Sequence, residues 1–265
     1  MTLRVFTPTA CLLASFVVAS LAAQQPSPTT ARPTPKDTEV WDPEPKVVSP
    51  GTTDAAAPSD AIVLFDGKNL DQWVNVKGGG PAGWTVADGV FTVDKPVGNI
   101  QTKRSFGNYQ LHIEWQVPAN ITGKDQGRGN SGLFLASIGG GDGGYELQIL
   151  DSFNNRTYAN GQAASIYKQA MPLVNAMRKP GEWNTYDVIW TAPAFNTDGS
   201  LKSAARVTVL HNGVLVQNNL ELTGETLYIG TPAYKTHGAT PIKLQAHGDP
   251  SEPLSFRNIW VRDLK

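Results

Sequence analysis

The chain has 265 residues, and one all-β domain of roughly 200 residues is an ordinary length. Its 22 Lys and Arg face 23 Asp and Glu, a formal charge of −1 with both signs scattered. That balance argues against nucleic acid or an anionic membrane surface as partner and favours a neutral or weakly charged one.

Arg4 is followed by an apolar stretch over 11–19 and then by the small residues Ser20-Leu21-Ala22-Ala23. This is the charged, apolar and cleavage-site pattern of a secretory signal, here 1–23. Its apolar core is shorter than the roughly 20 residues that span a bilayer. The expectation is an exported protein, periplasmic or extracellular, with no transmembrane anchor after signal removal. Cys11 is the only cysteine, so the mature protein is expected to lack disulfides, thiolate metal sites and a cysteine nucleophile.

The stretch 24–60 carries Pro26, Pro28, Pro33, Pro35, Pro43, Pro45, Pro50 and Pro58 among Thr, Ser and Ala. It cannot bury enough apolar surface for a core and reads as a linker. Trp41, beside Val40 and near Val47, is the one unusual feature in it.

From Ala61 to Lys265 the pattern becomes short runs of β-branched and aromatic residues separated by Gly, Asn, Asp and Pro. Strands are expected over 61–65, 84–87, 90–93, 109–117, 132–136, 145–150, 185–191, 205–210, 214–218, 242–247 and 254–261. Such spacing predicts a β-sandwich or barrel. Asn212-Gly213 supplies the positive φ angles of a tight hairpin turn.

Alternate side chains on a strand face opposite ways. Leu111, Ile113 and Trp115 then oppose His112, Glu114 and Gln116. Tyr145, Leu147 and Ile149 oppose Glu146 and Gln148, and Ile242, Leu244 and Ala246 oppose Lys243, Gln245 and His247. If the three strands share a sheet, one outer face gathers carboxylates, amides and imidazoles. A merely solvated face gives the same alternation, but Gln148, Gln245, His112 and His247 are planar donors and acceptors suited to sugar hydroxyls. Arg128 and Asn130, in Gly127-Arg128-Gly129-Asn130-Ser131-Gly132, could approach a ligand closely or simply form a turn. Tyr167 and Lys168 offer a phenol and an ammonium. The glycine run 139–144 precedes a strand, so it lacks the helix N-terminus of a phosphate cradle.

Val63-Leu64-Phe65-Asp66-Gly67 through Trp73, Gly129-Asn130-Ser131-Gly132, Tyr145 to Asp151, Lys179 to Asn184 and Phe256-Arg257-Asn258-Ile259-Trp260 together resemble the 3-keto-disaccharide hydrolase domain family. One departure is Ala246, between Gln245 and His247, where the family often has an acidic residue. The resemblance implies a concanavalin A-like jelly-roll β-sandwich and a carbohydrate substrate, a glycoside already oxidised to a ketone at the sugar's third carbon. The ketone acidifies the hydrogen on the second carbon, and the resulting enolate expels the aglycone before water adds. Such a site needs a base, an enolate stabiliser and an acid. On this reading His247 or Glu146 is the base, Arg128, Lys168 or a bound divalent ion stabilises the oxyanion, and Glu114 is the acid. Two carboxylates and two histidines could hold a divalent metal ion, though nothing in their spacing demands one. Two other classes stay open: an ordinary glycosidase using Glu114 and Glu146, and a non-catalytic carbohydrate-binding module.

Overall fold

The structure, a computed structural model, describes residues 32–264, so the expected signal segment and the start of the Pro-rich stretch lie outside the described residues. The chain divides into two compact units, ending at Lys46 and beginning at Val47. In the first, Pro35–Thr38 forms one 3-10 turn, capped where Thr34 N–H donates to Asp37 Oδ2 at 2.6 Å, and Val40 and Trp41 are exposed.

In the second unit the short apolar runs become strands β1 (Ile62–Phe65), β2 (Trp73–Asn75), β3 (Thr85–Ala87), β4 (Val90–Thr92), β5 (Ile100–Thr102), β6 (Tyr109–Gln116), β7 (Ser131–Ser137), β8 (Gly144–Ile149), β9 (Trp183–Thr191), β10 (Ala194–Phe195), β11 (Leu201–Ser203), β12 (Arg206–His211), β13 (Val214–Glu221), β14 (Lys243–Leu244) and β15 (Ser255–Asp263). The hairpin expected at Asn212-Gly213 forms, with φ of 53° and 78° at these residues and His211 opposite Val214. The strands absent from the sequence pattern, β2, β5, β10 and β11, have two or three residues each, too few to show a period.

An eight-stranded sheet runs β13-β12-β9-β6-β15-β4-β3, with β1 also pairing β15, and a five-stranded sheet runs β2-β5-β14-β7-β8. Pairing within both is antiparallel. Their apolar faces meet in one core: Leu111, Ile113 and Trp115 of β6 against Leu133, Leu135, Leu147 and Ile149 of β7 and β8. Two buried phenols bind one sheet to the other. Tyr109 donates to Leu135 O at 2.6 Å and Tyr186 to Gln148 O at 2.8 Å, so neither hydroxyl is left unsatisfied in the core. The fold is a jelly-roll β-sandwich. Among the described residues no helix is long and apolar enough to cross a membrane.

The second compact unit begins at Val47, and the expected domain from Ala61 lies within it. The segment before β1 is held by polar contacts that an apolar pattern does not register: Asn258 Nδ2 and Trp260 Nε1 both donate to Ala55 O, and Arg262 pairs with Asp60. One sequence expectation needs correction: the three polar-faced strands do not share a sheet. β6 pairs with β9 and β15 in the large sheet, while β8 and β14 flank β7 in the small one. His112 and Glu114 therefore point outward on the opposite side of the sandwich from Glu146, Gln148 and Gln245.

Candidate active site

The outer face of the small sheet is built in two rows. Lys243, Phe134 and Glu146 lie opposite one another across β14, β7 and β8, and Gly132 lies opposite Gln148 in the next row. Gln245 extends that row beyond the end of β14, its N–H donating to Gly132 O at 3.0 Å. The glycine makes room: a Cβ at Gly132 would sit 2.5 Å from Glu146 Oε1. Past Gln245 the chain leaves the strand, because the Ala246 N–H goes to Asn99 Oδ1, and His247 therefore stands on a loop.

Two loops close over this face. The backbone of 164–167 docks along β8, with Tyr167 N–H donating to Glu146 O, and Thr226 Oγ1 accepts from the Glu146 N–H. The result is an inner chamber of about 200 Å³ lined by Asn130, Asp142, Glu146, Gln148, Tyr167, Thr226, Tyr228, Gln245 and His247. It adjoins an outer chamber of about 490 Å³, which shares Asn130, Tyr167, Tyr228 and His247 and adds Gln126, Tyr158, Lys168 and Asp249.

Glu146 is 6% exposed and lines only the inner chamber. Burial pushes its carboxyl up to about 8, the Asp142 charge adds to this, and Lys243 opposes it. Lys243 is itself fully buried on the floor, its ammonium 3.9 Å from the Phe134 ring centre and donating to the carbonyls of Gly141 and Gly143. Burial pulls that ammonium down to about 8. The glycine run 139–144 is thus the β7–β8 turn, tied down by Lys243 and by Asn99, whose amide donates to Asp142 at 2.8 Å.

His247 lies where the chambers meet. Its Nδ1 is 3.1 Å from Asp249 Oδ2, and Asp249 is in turn paired with Lys95 and hydrogen-bonded by the Ser251 N–H. The same Nδ1 lies 3.2 Å from the Asp249 N–H; the tautomer that carries its proton on Nδ1, facing the carboxylate, is the one that leaves the Nε2 lone pair free for proton transfer. Gln148 donates to Asn130 Oδ1, yet the Oε1 atoms of Gln148 and Gln245 are buried without a protein partner. Two such acceptors in a small cavity are suited to ligand hydroxyls.

Of the residues singled out from the sequence, Glu146, Gln148, Asn130, Gln245, His247 and Tyr167 come together in the inner chamber, and Lys168 lies in the outer one. Arg128, Glu114 and His112 do not. Arg128 is turned aside to the buried Asp151, 2.6 Å away. His112 and Glu114 belong to a network on the large sheet with Asp187, Arg257 and Asn258. Among the described residues no three His, Cys, Asp or Glu side chains gather to hold a metal ion. Gln126, Asp142, Tyr158, Tyr228 and Asp249 escaped the strand-based reading because none stands on a strand: Gln126 is in the 3-10 turn Asp125–Gly127 and the others are on loops. The i, i+2 spacing of His247 and Asp249 was the available signal for the last.

Fold and site together define a carbohydrate-active β-sandwich domain. The chain belongs to the 3-keto-alpha-glucoside-1,2-lyase-like domain family, whose model matches residues 60–262. It is similar to the crystal structure of a candidate glycosyl hydrolase from Parabacteroides distasonis ATCC 8503, with 59% identity and a TM-score of 0.82 over 87% of this chain and 97% of that one. Two further candidate glycosyl hydrolases from the same organism share the fold at 21% and 22% identity, with TM-scores of 0.57 and 0.55; each match covers 77% of this chain and 94% or 99% of the other. No curated protein matches the chain.

Proposed function

We propose that this pocket cleaves 3-keto-glycosides by elimination followed by hydration. The observation that carries the reading is the unequal placement of two proton-handling groups: Glu146 in the inner chamber alone, His247 at the junction of both. With the keto-sugar ring in the inner chamber, the junction is the place for its first and second carbons and for the bond to the aglycone. His247 Nε2 takes the proton from the second carbon, and the C–H electrons form an enolate on the third-carbon oxygen. The neutral Glu146 carboxyl donates a hydrogen bond to that oxygen, as a buried acid held protonated near neutral pH can. The enolate re-forms the ketone, a double bond forms between the first and second carbons, and the bond to the glycosidic oxygen breaks. The imidazolium returns its proton to the departing oxygen. Water then adds at the first carbon and a proton at the second, giving net hydrolysis.

Roles for Arg128 and Glu114 drop out of this scheme. So does the Glu114–Glu146 carboxylate pair, whose members lie on opposite faces of the sandwich. A second reading rests on Asp142, which lines the inner chamber with Glu146 and makes a different carboxylate pair, of the kind that hydrolyses unoxidised glycosides. The deciding experiment compares aglycone release from a chromogenic 3-keto-glucoside and from its unoxidised parent. Release from the ketone alone, reduced about a hundredfold or more in His247→Ala, is expected. Release from the parent, abolished in Asp142→Asn and little changed in His247→Ala, would replace the elimination with ordinary glycosidase chemistry, and binding without release from either would leave a carbohydrate-binding module.

A further inference from the structure

The two chambers differ in what their polar atoms still need. In the inner one, Gln148 Oε1 and Gln245 Oε1 are buried and unpartnered. In the outer one, much of the hydrogen-bonding capacity is spent within the protein, and what remains includes two N–H groups of Lys168 and one O–H of the paired tyrosines. Gln126 Nε2 donates to Thr157 Oγ1 and Gly161 O, and Asn130 Nδ2 to Gln126 O. Asp249 is taken up by Lys95, His247 and Ser251. Lys168 Nζ donates to Tyr228 O at 2.7 Å, and the Tyr158 and Tyr167 hydroxyls bond each other at 2.7 Å.

What the outer chamber also offers is ring surface and charge. The Lys168 ammonium stands 4.2 Å from the Tyr228 ring centre, 5.7 Å from that of Tyr158 and 5.8 Å from that of Tyr167. Tyr228 is 70% exposed. A second sugar would have to pair its several hydroxyls with these remaining groups, and each one left unpaired costs binding. A flat aromatic ring asks only for stacking area, and the partial charge that develops on a phenolic oxygen as its bond breaks, before the imidazolium protonates it, lies beside an ammonium.

We propose that the outer chamber is a leaving-group subsite that selects aryl aglycones, making the substrates glycosides of phenols in preference to disaccharides. This rests on the reading of the inner chamber as the sugar site, and its test is separate from turnover. The full protein is titrated with phenyl glucosides of both anomeric configurations and with glucose disaccharides, all unoxidised, and binding is read by calorimetry. A phenyl glucoside is expected to bind about tenfold more tightly than any disaccharide. Tyr228→Ala, a change at an exposed position, should remove most of that advantage while weakening the disaccharides less than about threefold. Lys168→Met, which keeps the stem, should weaken a phenyl glucoside bearing a ring carboxylate more than the neutral one. Disaccharides binding as tightly as phenyl glucosides, equal losses for both classes in Tyr228→Ala, or no binding of any phenyl glucoside at millimolar concentration would overturn the proposal. If selective binding appears while the 3-keto-glucoside is not turned over, the subsite stands and the elimination chemistry falls.

Discussion

In the proposed elimination Glu146 and His247 both handle protons, and their surroundings differ in a way that suits them to different tasks. The Glu146 carboxyl is buried, has Asp142 nearby and is pushed up to about 8, so at neutral pH it is mostly a donor. His247 is partly exposed and has its Nδ1 against Asp249. These circumstances make a prediction that separates donor from base at Glu146. If the carboxyl serves as a hydrogen-bond donor to the enolate oxygen, Glu146→Gln retains a donor and should keep kcat within about tenfold of the wild type, whereas Glu146→Ala should lose about 10²–10³. Wild-type kcat should also fall as pH rises through about 8, where the donor proton is lost, and this alkaline limb should be missing from the Gln variant. A Gln variant as slow as the Ala variant would make Glu146 the base.

At the scale of elements, three strands of the small sheet hold the site, and the row across them leaves no slack. Gly132 of β7 lies opposite Gln148 of β8, and the space over it is filled by the Glu146 carboxyl. Gly132→Ala should push that carboxyl out of place, lowering kcat about tenfold or more while unfolding stability changes by no more than about 1 kcal/mol, since the backbone there is ordinary for a strand. Kinetics set beside a denaturation curve would check it. Much of this sheet was legible in advance, because period-two alternation put Leu147 and Ile149 in the core and Glu146 and Gln148 outside. Which strands lie side by side was not legible. The partner of His112 is Asp187, far along the chain, and alternation within a strand carries no information about its neighbours. Nor was the position of His247, since β14 ends at Leu244 when the side chain of Asn99 claims the next available N–H. Tyr158, Tyr228 and Asp249 lay beyond any strand pattern, in loops whose course depends on the finished sandwich.

For the whole molecule, the polar network on the large sheet has a structural task remote from the pocket. His112 stacks on Trp260, bonds Asp187 at 2.7 Å and lies 3.5 Å from Glu114, while Asn258 bridges Glu114 to Ala55 in the segment before β1. Burial disfavours charge on His112, but hydrogen bonds and charge from Asp187 and Glu114 outweigh it and raise the imidazole to about 9. Glu114 meets the same opposition from burial, and His112, Asn258 and Arg257 bring it down to about 2. A raised histidine stabilises the fold fully below its unfolded value of 6.5, and that contribution is lost as pH rises through about 9. Glu114 works in the other direction, its contribution present above 4.5 and lost as pH falls through about 2. The His112 contribution is about 1–3 kcal/mol, discounted because Asp187 is 39% exposed and water screens it. His112→Phe keeps the stacking on Trp260 and removes the charge. In urea denaturation, wild type should exceed this variant most at pH 6, and the gap should narrow by about that amount by pH 9.5. Taking the difference cancels Glu146 and Lys243, which titrate in the same range in both proteins. Because the network faces away from the pocket, the pH dependence of kcat should be the same in both proteins. A shifted kinetic profile in His112→Phe would mean that the two faces of the sandwich are coupled through the core, and that His112 belongs with the site after all.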